Sequence, residues 1–182
     1  PISDAEVILQ TETWIKKVVI DCHFCPFAAA PVKQQSVRYV VGSQFDLQQV
    51  KEMVLAECVF LDEQTSTETT FIILPDSFPD FLKYLDVVAD AEDAMAAAGY
   101  EGIYQLAGFH PLYLFAGSDE QDAANYTNRS IYPMLHLLRE DSIDRALENY
   151  SAPEKIPENN IDFARKKGLV YMKMLRDSVL NK

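Results

Sequence analysis

Hydrophobic positions along the chain switch between helical and strand spacing. Ser3 opens a capping box, and the apolar positions after it recur every three or four residues, which predicts a helix to about residue 21. Two more helices are predicted, one capped by Asp46 and one that begins at Ser77 and ends at Gly99. Short apolar or β-branched runs predict strands at residues 37–41, 69–74 and 103–109.

Two loops are predicted between these elements. Pro26 and Pro31 disfavour regular structure over residues 22–34. Residues 110–130 are irregular because they mix His, Pro, Gly, Asp and Asn. These two loops contain most of the chemically versatile side chains of the chain.

The last third of the chain is predicted to be helical. Ser130 is suited to cap a helix that has Pro133 in its first turn, where a missing N–H costs little. Later helices are predicted at about residues 141–150 and 159–180, and the second is expected to be interrupted or bent near Gly168.

This order of elements predicts a single domain, residues 1–182, of the α/β class. Helices that alternate with strands favour a small, mostly parallel sheet of about three to four strands, flanked by helices and followed by extra C-terminal helices. An α+β sheet with antiparallel pairing is the alternative, because two long helices separate only three clear strands.

The chain is acidic, with 28 Asp and Glu residues against 16 Lys and Arg and a net charge of −12. Such a field repels nucleic acid and anionic membranes, so neither is an expected partner. No apolar run reaches the length of about 18 residues that a membrane span needs, and no signal peptide is recognisable. The three cysteines, an odd and low number, are typical of a reducing compartment, so we predict a cytoplasmic protein.

Positive charge is concentrated near the C-terminus. Residues 165–182 contain six basic residues and one acidic residue. A solvated helix face that docks on the acidic remainder of the chain is the simpler interpretation, and a docking surface for an acidic partner is the alternative.

The segment Cys22-His23-Phe24-Cys25 has the spacing of a redox dithiol. A helix precedes it and a proline-rich loop follows, which is the reverse of the usual strand-then-helix context. Zinc ligation by both cysteines with His110 and His136 is the other option, but those histidines are 26 residues apart rather than locally paired. We therefore predict no metal, and no cofactor is indicated. Cys58 lies on the apolar stripe of its helix and is assigned to the core.

Cys25 and His110 are the candidate catalytic residues. Cys25 would act as a nucleophile if His110 or an arginine lowered the pKa of its thiol. Asn125 or Asn128 would then orient the histidine or hold an oxyanion. The alternative is a buried, unreactive Cys25, which is common for free cysteines.

A second group of residues is suited to bind an anion. Asn128-Arg129-Ser130 is predicted to open a helix, whose free amides and dipole attract anions, and Arg129 adds a bidentate donor. His136 and Arg139 are three residues apart on that predicted helix and would share a face. The alternatives are internal ion pairs for the arginines and a core position for His136. The candidate ligand-binding residues are Asn125, Asn128, Arg129, Ser130, His136 and Arg139.

Three segments carry a family resemblance, namely Cys25-Pro26-Phe27-Ala28, residues 105–111 and residues 125–140. They resemble a bacterial family of uncharacterised proteins that is catalogued as a domain of unknown function, number fourteen-fifteen. The resemblance covers roughly residues 5–170. It implies a single cytoplasmic bacterial domain and brings no activity, cofactor or substrate.

The residues support two hypotheses about function. In the first, the protein is an enzyme that acts on a small phosphorylated or carboxylated metabolite through a Cys/His/Arg pocket, which requires Cys25, His110, Arg129 and His136 to converge. In the second, it is a non-catalytic module that binds an anion at the Asn-Arg-Ser segment or a protein partner at its basic tail. The sequence leaves the substrate, the reaction and the oligomeric state open.

Overall fold

Regular elements occupy most of residues 2–180, which the computed structural model describes. The strands are β1 (Val37–Val41), β2 (Thr69–Ile73), β3 (Tyr104–Phe109) and β4 (Met134–Arg139). The α-helices are α1 (Asp4–Trp14), α2 (Ala29–Lys33), α3 (Leu47–Glu63), α4 (Phe81–Ala97), α5 (Glu140–Leu147), α6 (Ile156–Lys167) and α7 (Leu169–Asp177). A π-helix at Ile15–Ile20 continues α1, and short 3₁₀ turns lie at Ala123–Thr127, Pro153–Lys155 and Ser178–Leu180.

Local sequence signals set several of these ends. The Ser3 side chain accepts a hydrogen bond from the Glu6 amide at the start of α1. Asp46 and Gln49 form a reciprocal capping box at the start of α3. Gly168, at a φ of +88°, separates α6 from α7, which is the interruption predicted at this position.

Two local predictions are wrong. Asp80, not Ser77, caps α4, because its carboxylate accepts a hydrogen bond of 2.9 Å from the Lys83 amide. The proline-rich segment 22–34 is not wholly a loop, since α2 lies inside it with Pro31 in its middle. A helix this short leaves few main-chain donors for a proline to remove.

The sheet has the strand order β1-β2-β4-β3. β1 and β2 are parallel, whereas β4 is antiparallel to both of its neighbours, β2 and β3. The fold is therefore mixed α/β, and the prediction of a mostly parallel sheet is wrong. Two of the three strand pairings are antiparallel, as the α+β alternative anticipated.

The prediction of a helix after Ser130 is also wrong, because residues 134–139 form β4. β4 lies between two strands and is covered on both faces, and Met134 to Leu138 are all buried. A strand that is buried on both faces has a continuous apolar run instead of an alternating pattern. Periodicity does not separate such a run from a buried helix.

Helices cover both faces of the sheet. On one face, α3 and α4 pack against a cluster that includes Ile72, Leu135 and Leu137. On the other face, α1, the π-helix, α6 and α7 pack against a cluster that includes Phe71 and Met134.

The basic C-terminal helices dock on their own domain. Arg165 of α6 forms an ion pair with Asp122 at 2.8 Å, and Arg176 of α7 donates to the Pro111 carbonyl at 3.0 Å. Both contacts hold the C-terminal helices against the segment between β3 and β4.

A buried carboxylate ties α3 to the two parallel strands. Glu57 is 4% exposed and accepts two hydrogen bonds from the Arg38 guanidinium, at 2.8 and 3.2 Å. The Thr70 hydroxyl donates a third, at 3.3 Å. The Arg38 guanidinium also lies over the Phe60 ring, 3.9 Å from its centroid.

Removal of the arginine partner should destabilise the fold. We expect Arg38→Ala to lower the free energy of unfolding by about 2–3 kcal/mol, because it leaves the Glu57 charge buried and unpaired. Urea denaturation measures this loss. The double variant Arg38→Met with Glu57→Leu should recover most of it, and a single variant as stable as the wild type would contradict the role given to the pair.

Candidate functional site

A small cavity lies on the α1 side of the sheet, beneath the segment that leads into α2. It has a volume of about 30 Å³ for the centre of a water molecule, which is room for one or two waters. Its walls are mainly apolar and include Ile15 and Val19 of the π-helix and Phe71 of β2. Three of its lining residues carry a reactive or polar side-chain group, namely Cys25, Thr69 and His136.

His136 is held in one orientation by β2. Its ring stacks on Phe71, the residue directly opposite in the strand pairing, with 3.8 Å between ring centroids. Its Nε2 lies 2.8 Å from the Thr69 hydroxyl oxygen, and that hydroxyl donates its only proton to the Leu137 carbonyl at 2.6 Å. The Thr69 oxygen must therefore accept the Nε2 proton, which leaves Nδ1 as the basic nitrogen of the neutral ring.

The turn before α2 positions Cys25. Its sulfur accepts hydrogen bonds from the backbone amides of Phe27 and Ala28, and these bonds favour the thiolate. Burial acts more strongly in the opposite direction, so the pKa of Cys25 is raised above its ordinary value. Near neutral pH the cavity therefore holds a thiol.

Burial also lowers the pKa of His136 to about 3, because the surrounding apolar side chains do not solvate an imidazolium. The cavity thus contains a neutral thiol and a neutral imidazole whose Nδ1 can accept a proton. Thr69 orients the base from the far side of the ring. Nucleophile, base and orienting group are the parts that covalent catalysis by a thiol requires.

His110 does not share this cavity. It lies on the α4 side of the sheet, where its ring contacts Phe81 and Tyr84. The Leu112 amide donates to its Nδ1, and its Nε2 donates to the Phe78 carbonyl, both at 3.0 Å. Both ring nitrogens are occupied, and the side chain is 1% exposed, so His110 serves to fix the loop after β3.

The asparagines and Ser130 organise the segment between β3 and β4. Asn125 is fully buried, accepts from the Phe115 amide and donates to the Asp119 carbonyl. Asn128 donates to the Gly108 carbonyl, and the Ser130 hydroxyl donates to the carbonyl of Tyr132. These polar groups satisfy main-chain atoms of a buried loop.

The arginines are also engaged with the backbone. Arg129 follows a 3₁₀ turn and does not open a helix; it donates to the carbonyls of Tyr113 and Glu120 at 2.8 and 3.1 Å. Arg139 ends β4 and donates to the carbonyls of Leu61 and Thr67 at 2.7 and 2.8 Å. The shared helix face expected for His136 and Arg139 does not exist, because residues three apart on a strand point to opposite faces.

The structure therefore brings together Cys25 and His136 and separates them from His110, Arg129 and Arg139. Sequence reasoning missed Thr69, which begins a strand and carries no local signal of function. Only the strand register identifies it, since Thr69 lies diagonally across from His136 on the same face of the sheet.

Metal clusters and membrane-spanning helices are both absent from the described residues. Within residues 2–180, no group of three or more His, Cys, Asp or Glu side chains is placed to hold a metal ion. No helix in the same range combines the length and the apolar character needed to cross a bilayer.

Comparison with known proteins gives one match. A family model described as "Protein of unknown function (DUF1415)" matches residues 6–174, which is nearly the whole chain. No curated protein and no solved structure gives a significant match. The resemblance seen in the sequence is confirmed, and the chemistry of the cavity remains the guide to activity.

Acidification should destabilise the protein through its buried histidine. A histidine whose folded-state pKa is lowered contributes full stability above its unfolded pKa of about 6.5 and loses it as the pH falls toward the folded value. With the His136 pKa at about 3, we expect a loss on the order of 3 kcal/mol between pH 7 and pH 4.5.

Urea denaturation at both pH values tests this expectation. Between the two pH values, the free energy of unfolding of His136→Gln should fall by about 3 kcal/mol less than that of the wild type. The pKa of His110 is also lowered by burial and changes stability in the same direction, so the difference between wild type and variant is the informative quantity. Equal pH dependence in both proteins would contradict a buried neutral His136.

Arg139 should behave as a structural residue. We expect Arg139→Ala to lower the free energy of unfolding by about 2 kcal/mol, because carbonyls at the end of α3 lose a charged donor. Lys166→Ala, an exposed position on α6, is the control and should cost less than about 0.5 kcal/mol. Similar costs for both variants would show that the Arg139 hydrogen bonds do not hold the fold.

Proposed function

The chain belongs to the DUF1415 family, and from its cavity we propose that it is an enzyme that uses Cys25 as a nucleophile on a small metabolite. The supporting observation is that Cys25 and His136 line one cavity while Thr69 orients the imidazole. His136 thereby takes the role that the sequence suggested for His110. The amides of Phe27 and Ala28 support the thiolate once it forms.

The proposed step begins with transfer of the Cys25 proton to Nδ1 of His136. The sulfur electron pair then forms a bond to an electrophilic carbon of the substrate, and the leaving group departs with the electron pair of the broken bond. The imidazolium returns its proton to the leaving group. The Thr69 oxygen stabilises the transient positive charge, because it accepts the Nε2–H bond throughout.

The dimensions of the cavity limit what reaches the sulfur. A volume of about 30 Å³ with apolar walls admits a short, uncharged reactive group. Any carboxylate or phosphate of the substrate must then lie outside the cavity. A phosphorylated or carboxylated metabolite therefore remains the proposed substrate, with its charged end bound elsewhere than at Arg129 or Arg139.

The proposed setting is a reducing compartment such as the bacterial cytoplasm. Cys22, Cys25 and Cys58 are all free thiols in the structure, which supports this setting.

A non-catalytic protein is the second candidate function. The observation that favours it is the combination of a raised Cys25 pKa and a lowered His136 pKa, since neither group is charged in the undisturbed cavity. In that case Cys25 would serve for packing, and the protein would bind a ligand or partner without turnover.

Alkylation of Cys25 by iodoacetamide distinguishes the two candidates. At pH 7 we expect Cys25 to be alkylated in the native protein and His136→Gln to slow its alkylation about tenfold, because the base is lost. Peptide mass spectrometry resolves Cys25 from the two other thiols. His23→Gln is the matched control, since His23 is exposed and lies outside the cavity.

Two results would reject the enzyme proposal. In the first, Cys25 is alkylated only after the protein unfolds, which assigns it to packing. In the second, His136→Gln and His23→Gln react at the wild-type rate, which removes His136 as the base.

A further inference from the structure

A groove lies between the Cys25 cavity and a larger polar cavity and shares lining residues with each. Phe27 and Pro31 line both the Cys25 cavity and this groove, which has a volume of about 150 Å³. Glu68 and Arg145 line both the groove and the polar cavity, whose volume is about 330 Å³. The three spaces therefore lie side by side, and we call this row of spaces the path. Phe27 and Pro31 form the apolar wall between the Cys25 cavity and the groove, and Glu68 and Arg145 lie at the charged end.

Opposite charges line this path without pairing with one another. Glu68, Asp141, Arg139 and Arg145 all border the polar cavity, yet the ion pairs found within residues 2–180 join other side chains. Arg139 is engaged with carbonyls at the end of α3. Among the residues that the structure describes, Arg145 donates to the Ser142 hydroxyl alone, at 3.1 Å, so its remaining donors are available.

The carboxylates of Asp141 and Glu68 lie at different distances along the path from the Cys25 cavity. Asp141 borders only the outer, polar cavity and lies in the first turn of α5, where the helix dipole stabilises its charge. Glu68 borders the groove as well and directly precedes Thr69, the residue that orients His136. Glu68 and Arg145 are therefore the charged pair that a molecule would meet next to the Cys25 cavity.

We propose that Glu68 and Arg145 bind the zwitterionic head group of an α-amino acid whose short side chain points past Phe27 toward Cys25. The carboxylate lies against the Arg145 guanidinium and the ammonium group against the Glu68 carboxylate. This inference rests on the proposed function, because it names the substrate class of the Cys25 site. It also supplies the external charged contact that the small apolar cavity requires.

The balance of charge distinguishes a zwitterion from a simple anion. A monocarboxylate that binds Arg145 brings its negative charge close to the Glu68 carboxylate, which repels it. A simple amine that binds Glu68 brings its positive charge close to the Arg145 guanidinium, which repels it in the same way. A ligand with both groups places an opposite charge beside each side chain, so both interactions are favourable at the same time. Selectivity for the dipolar head group follows from the two side chains together.

Three ligands with the same short carbon chain test the proposal, namely 2-aminobutyrate, butyrate and butylamine at equal concentration and ionic strength. We expect 2-aminobutyrate at about 10 mM to slow iodoacetamide alkylation of Cys25 about tenfold, which corresponds to a Kd of about 1 mM. It should also raise the thermal unfolding midpoint. Butyrate and butylamine should have much smaller effects on both readouts.

Charge-neutralising variants test whether Arg145 and Glu68 bind the head group. Arg145→Gln and Glu68→Gln should each abolish the preference for 2-aminobutyrate, and Glu68→Gln should improve the binding of butyrate. Lys166→Gln and Glu63→Gln remove the same charges from exposed positions outside the path and should keep the wild-type preference.

The thermal readout does not depend on a reactive thiol, so it separates this inference from the proposed function. If Cys25 is unreactive but 2-aminobutyrate still stabilises the wild type and not Arg145→Gln, the groove binds zwitterions in a protein that is not a thiol enzyme. If Cys25 is reactive and all three ligands act equally, or none acts, the zwitterion site is rejected while the thiol chemistry stands.

Discussion

The pairing of β4 with both of its neighbours is the constraint on which the site depends. β4 runs antiparallel between β2 and β3, and its residues are buried on both faces. This position places His136 on the α1 face, opposite Phe71, and sends Arg139 to the end of α3. Had residues 134–139 formed a surface helix, neither contact would exist, and His136 would not line the Cys25 cavity.

Main-chain hydrogen bonding explains why so many polar residues are not available for a ligand. The segment between β3 and β4 is long and partly buried, and its amides and carbonyls need partners. Asn125, Asn128 and Arg129 provide them. His110 does the same at the end of β3, using both of its ring nitrogens.

The dry surroundings of Cys25 and His136 have two opposing effects. They keep both groups neutral at rest, which favours the thiol over the more nucleophilic thiolate. In the proposed mechanism they would also strengthen the interaction between thiolate and imidazolium after proton transfer, because the local dielectric constant is low. Thr69 already contacts Nε2 of His136 and the amides of Phe27 and Ala28 already contact the Cys25 sulfur, so that charged state would need little reorganisation.

Sequence signals that act over a few residues were sufficient to locate the elements whose ends they set. The caps at Ser3 and Asp46, the strand at Val37–Val41 and the break at Gly168 all follow from local propensity and hydrogen bonding. The same kind of reading identified Cys25 as a candidate nucleophile and named His136 for the same pocket, although on a predicted helix. It did not identify Thr69, Glu68 or Arg145, because these residues come from separate elements.

The sequence by itself therefore determined an acidic chain of helices and short strands with two thiols, Cys22 and Cys25, in a proline-rich segment. Tertiary structure alone decided that residues 134–139 form a strand, since an apolar run buried on both faces fits a helix or a strand equally well until its neighbours are known. That choice set the register that aligns His136 with Thr69 and turns Arg139 away from both. Side chains meet across a sheet through strand pairing, and pairing depends on contacts between residues that are distant in sequence.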